Sequence, residues 1–394
     1  MVVLEQARAL MLERIKEIGK EMVPLFDAPG RVLAEDITSI CDFPPFDRSP
    51  LDGYAVRAGD LPGTLSLIDK IFAGDVSQRV VTEGTAIQIM TGAPIPNGAD
   101  CIVRQEDVTR IGDEVKIVIT HRPFDNYVYK GEDIKAGHLV LKEGHRLNAS
   151  GITVLAALGM GDVTVFKRPV VGIISTGSEL QSPGTDLAPG HIYNSNLYFL
   201  YSRIIELGAL PRLYSGVSDT QEDIRIALDL AASECDFIIS TGGVSVGEKD
   251  LVKQSGEIAG FEILFSRVDV KPGSPMFCGV RNEKILLGLS GNPMAMATTF
   301  ELMARPALVK MSGCPDLDLK VVMAIAGDSY SNASKKRRFL RVVLQHQDQT
   351  QKIYCQGLNQ QSGRILTLLQ TNGILEMKPH TQIEPGDLVE VYPI

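Results

Sequence analysis

Apolar residues recur with more than one spacing along this 394-residue chain, and the changes of spacing divide it. At the start, Leu4, Ala7, Leu10, Met11, Ile15 and Ile18 fall at helical intervals. They predict an amphipathic helix over 4–18 that packs on a neighbouring domain and stops at Gly19. Residues 31–37 read as a strand after a turn at Gly30. From 64 to 145 short β-branched or alternating runs take over, among them 86–90, 101–104 and 114–119, separated by Gly, Pro, Asn and Asp clusters. This pattern predicts a small β-barrel or sandwich. A short helix is expected over 152–158, ended by Gly159 and Gly161.

From Val170 the strand and helix periods alternate. Strands are predicted at 170–174, 213–217, 236–240, 261–268 and 284–289, and helices at 196–207, 221–233 and 294–310. Alternation of this kind predicts a mainly parallel sheet with flanking helices, bounded at about 168–314. After Lys320 the β signals return at 320–326, 338–344, 352–356 and 388–392, with one amphipathic turn at 365–370, which fits a second small barrel. The fold class is therefore multidomain α/β plus β.

Strands of a parallel sheet deliver their following loops to one edge, where such folds bind ligands. Four loops meet this condition: Ser175–Glu179, Ser218-Asp219, Thr241–Asp250 and Ser290–Pro293. A fifth, Asp269–Pro275, carries Lys271. Three features point to an anion. Pro293 suits the first position of a helix and leaves the next N–H groups free. Gly242 and Gly243 permit close backbone approach, and Lys271 supplies a point charge. Neither a G-x-x-x-x-G-K-[ST] nor a G-x-G-x-x-G fingerprint occurs in the domain. Glu179, Asp219 and Asp250 share the same predicted edge, and carboxylates beside a phosphate suggest Mg²⁺. Each has a plainer alternative: Asp219 as helix cap with Glu222 three residues on, Asp250 as cap of the next helix.

Elsewhere, Asp52 follows a loop stiffened by Pro44, Pro45 and Pro50. It reads either as a turn residue before Gly53 or as a carboxylate held out on a rigid loop. Lys335-Lys336-Arg337 reads as a solvated strand edge. The net charge of -9 disfavours nucleic acid as the main partner. No apolar run approaches the roughly 20 residues of a membrane span, and no signal peptide is evident. Six scattered cysteines without a C-x-x-C pair read as reduced thiols of a cytoplasmic protein. No two histidines have the spacing of zinc ligands on a helix.

Taken together, Pro44–Ala55, Met90–Pro96, Ser175–Leu180, Thr241–Gly247, Lys271-Pro272-Gly273 and Gly291-Asn292-Pro293 resemble the MoeA family of molybdopterin molybdotransferases, related to the E domain of gephyrin. The motifs run in the family's order over nearly the whole chain. The resemblance implies four parts: an elongated segment from 1–45 and 136–167, a β domain over 46–135, a molybdopterin-binding three-layer α/β domain over 168–314, and a C-terminal β-barrel over 315–394. It implies insertion of molybdate into adenylylated molybdopterin, with Mg²⁺-dependent hydrolysis and release of AMP. It further implies a homodimer with a shared active site, and handover to an adenylyltransferase and to molybdoenzymes.

By the same resemblance Asp52, Glu179, Asp219 and Asp250 are catalytic, and the last three hold Mg²⁺. Asp133 is a further matched acidic position. Thr91, Ser175, Thr176, Gly177, Thr241, Gly242, Gly243, Ser245, Lys271, Pro272, Gly273, Gly291, Asn292 and Pro293 bind pterin and phosphate. Arg341 and Ser362 match positions associated with molybdate. Two residues depart from the family's usual pattern: Ser274 where a second lysine is common, and Ser290 where a proline is common. A similar α/β domain also serves the adenylyltransferase step, related E domains serve as scaffolds, and a tungsten-handling member is a further alternative.

Overall fold

The computed structural model of the chain describes residues 1–243, 251–347, 352–361 and 364–394. The expected site residues Ser245, Asp250 and Ser362 lie outside the described residues.

The α/β domain is built on one six-stranded sheet. In chain order its strands are β1 (Val170–Thr176), β2 (Leu210–Val217), β3 (Phe237–Thr241), β4 (Glu262–Phe265), β5 (Phe277–Arg281) and β6 (Lys284–Leu289). Their spatial order is β2-β1-β3-β6-β5-β4. The first four neighbours pair in parallel, whereas β5 runs antiparallel to both β6 and β4. Strands β1 up to Ile174 and β3 up to Ile239 carry no polar side chain because both faces are covered. Val171, Ile173, Phe237 and Ile239 enter one core, and Ile174 and Ile238 enter the other.

Strand β5 was not expected from the sequence. It joins β6 through Asn282 and Glu283, both with positive φ (48° and 67°). Asn-Glu is a poor signature for such a hairpin, in which the second position favours Gly.

The first helix, Leu4–Leu12, buries Leu4, Ala7 and Met11 in the α/β core. It ends a turn and a half before Ile18, since Lys310 Nζ donates to Leu12 O (2.7 Å) and takes over a C-terminal carbonyl. The expected helix over 294–310 is three pieces: Pro293–Thr299, a π turn Phe300–Ala304, and Arg305–Ser312. Pro306 has no N–H to give to the carbonyl four residues back, Leu302. Arg8 Nε donates to that oxygen instead (3.1 Å).

Residues near 20–40 and 139–166 form one unit. Lys20–Pro24 pairs antiparallel with Asp162–Phe166, and Ile37–Thr38 with Leu139–Leu141. Of the strand read at 31–37, Val32 and Leu33 make only isolated bridges. The helix expected at 152–158 runs Ala149–Ala157, capped by Asn148 Oδ1, which accepts from Gly151 N at 3.0 Å. Between the two stretches lies a six-stranded β sheet from Gly53 to Ile117, with a core on each face.

The C-terminal region closes five strands into a barrel: Arg337–Gln347, Lys352–Gly357, Val322–Ala326, Leu388–Pro393 and Gly373–Met377, the last pairing back on the first. Gly373–Met377 was also missed by the sequence reading. Phe339 and Ile374 leave the barrel core and join the α/β core. The two domains also share a seam, because Val270 and Lys271 pair in parallel with Arg337 and Arg338. Among the described residues, no helix is long and apolar enough to cross a membrane.

Candidate active site

A cavity of about 590 Å³ opens at the carboxyl ends of β1, β2, β3 and β6. Its walls are Thr176 to Glu179, Asp219, Gly242, Gly243, Leu251, Pro275 and Ser290 to Asn292. Described residues of all four expected loops therefore converge. The volume suits a nucleotide-sized ligand.

The loops are tied together by a residue that the sequence reading missed. Asn196, 8% exposed on the helix Ser195–Glu206, donates its side-chain amide to Thr241 Oγ1 and to Gly291 O, both at 2.9 Å. One side chain thus links the ends of β3 and β6. Two residues earlier, Asn194 caps the same helix by accepting from Leu197 N (3.2 Å) and donates to Ser175 Oγ (3.0 Å). An Asn before an apolar periodic run is a readable cap signal; the long-range bonds of Asn196 leave no local signal.

Gly242 has φ 92°, and a β-carbon there would stand 2.3 Å from Thr176 O. Only glycine lets β3's end approach β1's end so closely. Thr176 Oγ1 and Asn196 Oδ1 are buried and have no hydrogen-bond partner among the described residues. Orphaned polar atoms of this kind at a cavity are an invitation to a polar ligand.

Two expectations for this edge are corrected. Asp219 does not cap the helix Gln221–Glu234: Thr220 does, accepting from Asp223 N at 3.1 Å. Asp219 Oδ2 instead accepts from Ser178 N (2.8 Å), which fixes the carboxylate in the cavity wall. Nor are the first amides after Pro293 free for an anion. Asn292 Oδ1 accepts from both Met294 N (3.0 Å) and Ala295 N (3.2 Å). Ser290 steadies this loop, its hydroxyl accepting from Asn292 N (3.2 Å).

A second cavity, about 290 Å³, lies along the seam with the barrel. Lys271, Pro272, Asn292, Arg338, Arg341 and Gln360 are among its walls. Asn292 borders both cavities, so they adjoin. Arg341 is 3% exposed; its Nη2 donates to Asn359 O (3.0 Å), and its Nε is buried without a partner among the described residues. Burial holds its guanidinium below the usual value. A buried cation with no resident anion fits an incoming oxyanion.

The run Lys335 to Arg337 is only partly the solvated edge expected. Lys335 is exposed, but Lys336 Nζ donates to Ser274 Oγ (3.0 Å), and Arg337 is paired with Glu5 and Glu376 at 2.6 Å each.

Asp52 and Thr91 are brought together, and not into either cavity. Asp52 Oδ1 accepts from Thr91 N (2.7 Å) and Thr91 Oγ1 (2.8 Å) across 39 residues of chain. The amide bond from Thr91, then the hydroxyl bond, hold its carboxyl below the usual range. Of the six cysteines five are buried, Cys41 is half-buried, and all are free thiols.

Comparison with known proteins agrees with this layout. Residues 2–159 match the MoeA N-terminal region (domain I and II), 172–310 the probable molybdopterin binding domain, and 323–394 the MoeA C-terminal region (domain IV). A molybdopterin molybdenumtransferase of Staphylococcus epidermidis is 34% identical over 96% of this chain and 94% of its own length. One from Bacillus subtilis is 36% identical over 95% and 90%. The crystal structure of the molybdopterin biosynthesis MoeA protein from Pyrococcus horikoshii superposes with a TM-score of 0.86, at 31% identity, over 100% of this chain and 99% of that one. With three family regions in order along the chain, the larger cavity within the second and the smaller at the seam of the second and third, the chain belongs to the MoeA family.

Proposed function

We propose that the chain is a molybdopterin molybdenumtransferase. It takes adenylylated molybdopterin and molybdate, hydrolyses the adenylate with release of AMP, and places molybdenum on the dithiolene. One observation carries this reading: the strand-end cavity with its carboxylates adjoins, at Asn292, a cleft that holds the buried Arg341, whose Nε has no partner among the described residues. The first fits a pterin and its phosphates, the second a tetrahedral oxyanion.

Within the first cavity the backbone at Gly177, Gly242, Gly243 and Gly291 admits the ligand closely, and Thr176 Oγ1 is free to bond it. The donor set suits Mg²⁺. Glu179 and Asp219 border one cavity, and a phosphate-bearing substrate would supply further oxygens. When bound, Mg²⁺ would neutralise the phosphate charge; Asp250 is the third ligand implied by the family. In the second cavity Lys271 and Arg341 orient molybdate.

The Asp52–Thr91 pair serves the site of a second copy of the chain. It is preformed and borders neither cavity of its own subunit. Exposed Tyr198, Tyr201 and Ile205 on the helix Ser195–Glu206 supply apolar surface for such a contact. The substrate comes from an adenylyltransferase and the product passes to molybdoenzymes. Adenylyl transfer by this chain itself would leave the Lys271–Arg341 cleft without a task.

The test is incubation with adenylylated molybdopterin, Mg²⁺ and molybdate, with AMP and the metallated pterin assayed together. Both products should appear. Consumption of ATP with free molybdopterin, or product formation unchanged in Asp219→Ala, contradicts the reading.

A further inference from the structure

The turn Lys271-Pro272-Gly273 is held on two sides. On one, Gly273 has φ 89°, and a β-carbon there would stand 2.3 Å from the Thr299 methyl, so the turn lies directly on the helix Pro293–Thr299. On the other, Val270 and Lys271 pair with Arg337 and Arg338 of the barrel. That pairing is only two residues long, too short to fix a turn by itself.

A side-chain pin completes it. Ser274 Oγ donates its single proton to Val268 O (2.8 Å), and the Ser274 carbonyl accepts from Val268 N (3.2 Å). The hydroxyl lone pairs are then available, and Lys336 Nζ donates to them at 3.0 Å. Lys336 has no carboxylate within ion-pair distance among the described residues, whereas its neighbour Arg337 has two. The bond to Ser274 is thus the polar contact that places this ammonium, and it spans the seam between the two domains.

We propose that Lys336 is a positioning residue for oxyanion binding. Through Ser274 it locks the Lys271-Pro272-Gly273 turn against the barrel strand that carries Arg341, and so sets the separation of Lys271 and Arg341 across the cleft. Neither Lys336 nor Ser274 borders the cleft; both act through the turn. The inference rests on the reading of that cleft as the molybdate site.

Molybdate dependence of AMP release tests it, with Arg341→Met as the reporter of the cleft itself. Lys336→Met should raise the KM for molybdate about five- to tenfold, with kcat at saturating molybdate within about twofold, as expected when binding geometry is lost and chemistry is not. Ser274→Ala should do the same, and the double variant should be no worse than either single one. Lys336→Arg, which can still donate to the hydroxyl, should restore the KM to within about twofold of the original. An unchanged KM in Lys336→Met while Arg341→Met raises it overturns the inference and leaves the cleft reading standing. An unchanged KM in both variants overturns the cleft reading and the inference with it. A fall in kcat without a change in KM shows a merely structural role and also overturns it.

Discussion

The side-chain amide of Asn196 donates to Thr241 Oγ1 at 2.9 Å, and its second proton goes to Gly291 O at the same distance. A helix residue thereby holds the ends of two adjacent parallel strands in register around the larger cavity. Asn196→Ala removes both bonds and leaves the buried Thr241 hydroxyl with only its bond to Ser290 O (3.2 Å), which costs about 1 kcal/mol. The urea midpoint should fall accordingly. The KM for the pterin substrate should rise as well, because Gly291 is part of the cavity wall.

Asp219 does two separable things: it accepts from Ser178 N and it brings a negative charge to the cavity. Asp219→Asn keeps an acceptor for the amide and removes the charge. This variant should melt within a few degrees of the original protein, yet lose Mg²⁺-dependent AMP release by about a hundredfold or more, the scale of a lost electrostatic contact in a transition state. Equal loss of stability and activity would point to a structural role alone.

Arg341 is buried, and its Nε has no partner among the described residues, a cost that an incoming anion would offset. Replacing a buried charge by an apolar side chain of similar size is often neutral or stabilising. Arg341→Met should therefore hold or raise the melting temperature while molybdate affinity falls. Glu301 is the opposite case. It is 2% exposed and bonded to Arg203 (2.6 Å) and Arg305 (3.2 Å) from within the π turn. Glu301→Ala removes the buried partner of both, leaving Arg203 with Glu206 (2.7 Å) and Arg305 with the Leu317 and Pro393 carbonyls, and should cost about 3 kcal/mol, the low end for a broken buried pair.

The Asp52–Thr91 pair gives a pH prediction. Hydrogen bonds from Thr91 lower the Asp52 pKa in the folded state below the ordinary aspartate value of about 3.9. Its stabilising contribution is therefore present above that ordinary value, and is lost as pH falls through the lower folded one. Asp52 stays ionised through mildly acidic solutions. Thr91→Val removes the hydroxyl bond but keeps the amide bond, so an NMR titration should show the Asp52 pKa move up part of the way.

If the pair serves a second copy, Asp52→Ala and Asp219→Ala should complement each other. Random re-association of the two inactive variants makes half the dimers mixed, each with one complete site. Activity should return to about a quarter of the original, as two-fold symmetry requires. No recovery in demonstrably mixed dimers would place Asp52 outside the site.

Much of this was legible in the sequence because the period of apolar residues changes with each domain. Strands buried on both faces, such as Phe237–Thr241, open on unbroken apolar runs (Phe237 to Ile239), and the loops after them follow from parallel topology. What escaped depends on choices that local sequence does not settle. Asp219 and Thr220 are adjacent and both can cap a helix; the structure gives that task to Thr220 and frees Asp219. Asn292 precedes a proline that suggests open amides, and then fills them itself. The bonds of Asn196 and Lys336 span 45 to 95 residues and leave no trace in any periodicity. The hairpin at Asn282-Glu283 lacks the glycine that would have announced it.

The most direct measurement is AMP release in a single turnover, as a function of molybdate, from adenylylated molybdopterin bound to the protein with Mg²⁺. The expected result is release that rises with molybdate and saturates, with the saturation point shifted to higher molybdate in Arg341→Met. AMP release that ignores molybdate in both proteins would contradict the claim that the two adjoining cavities bring pterin and oxyanion together.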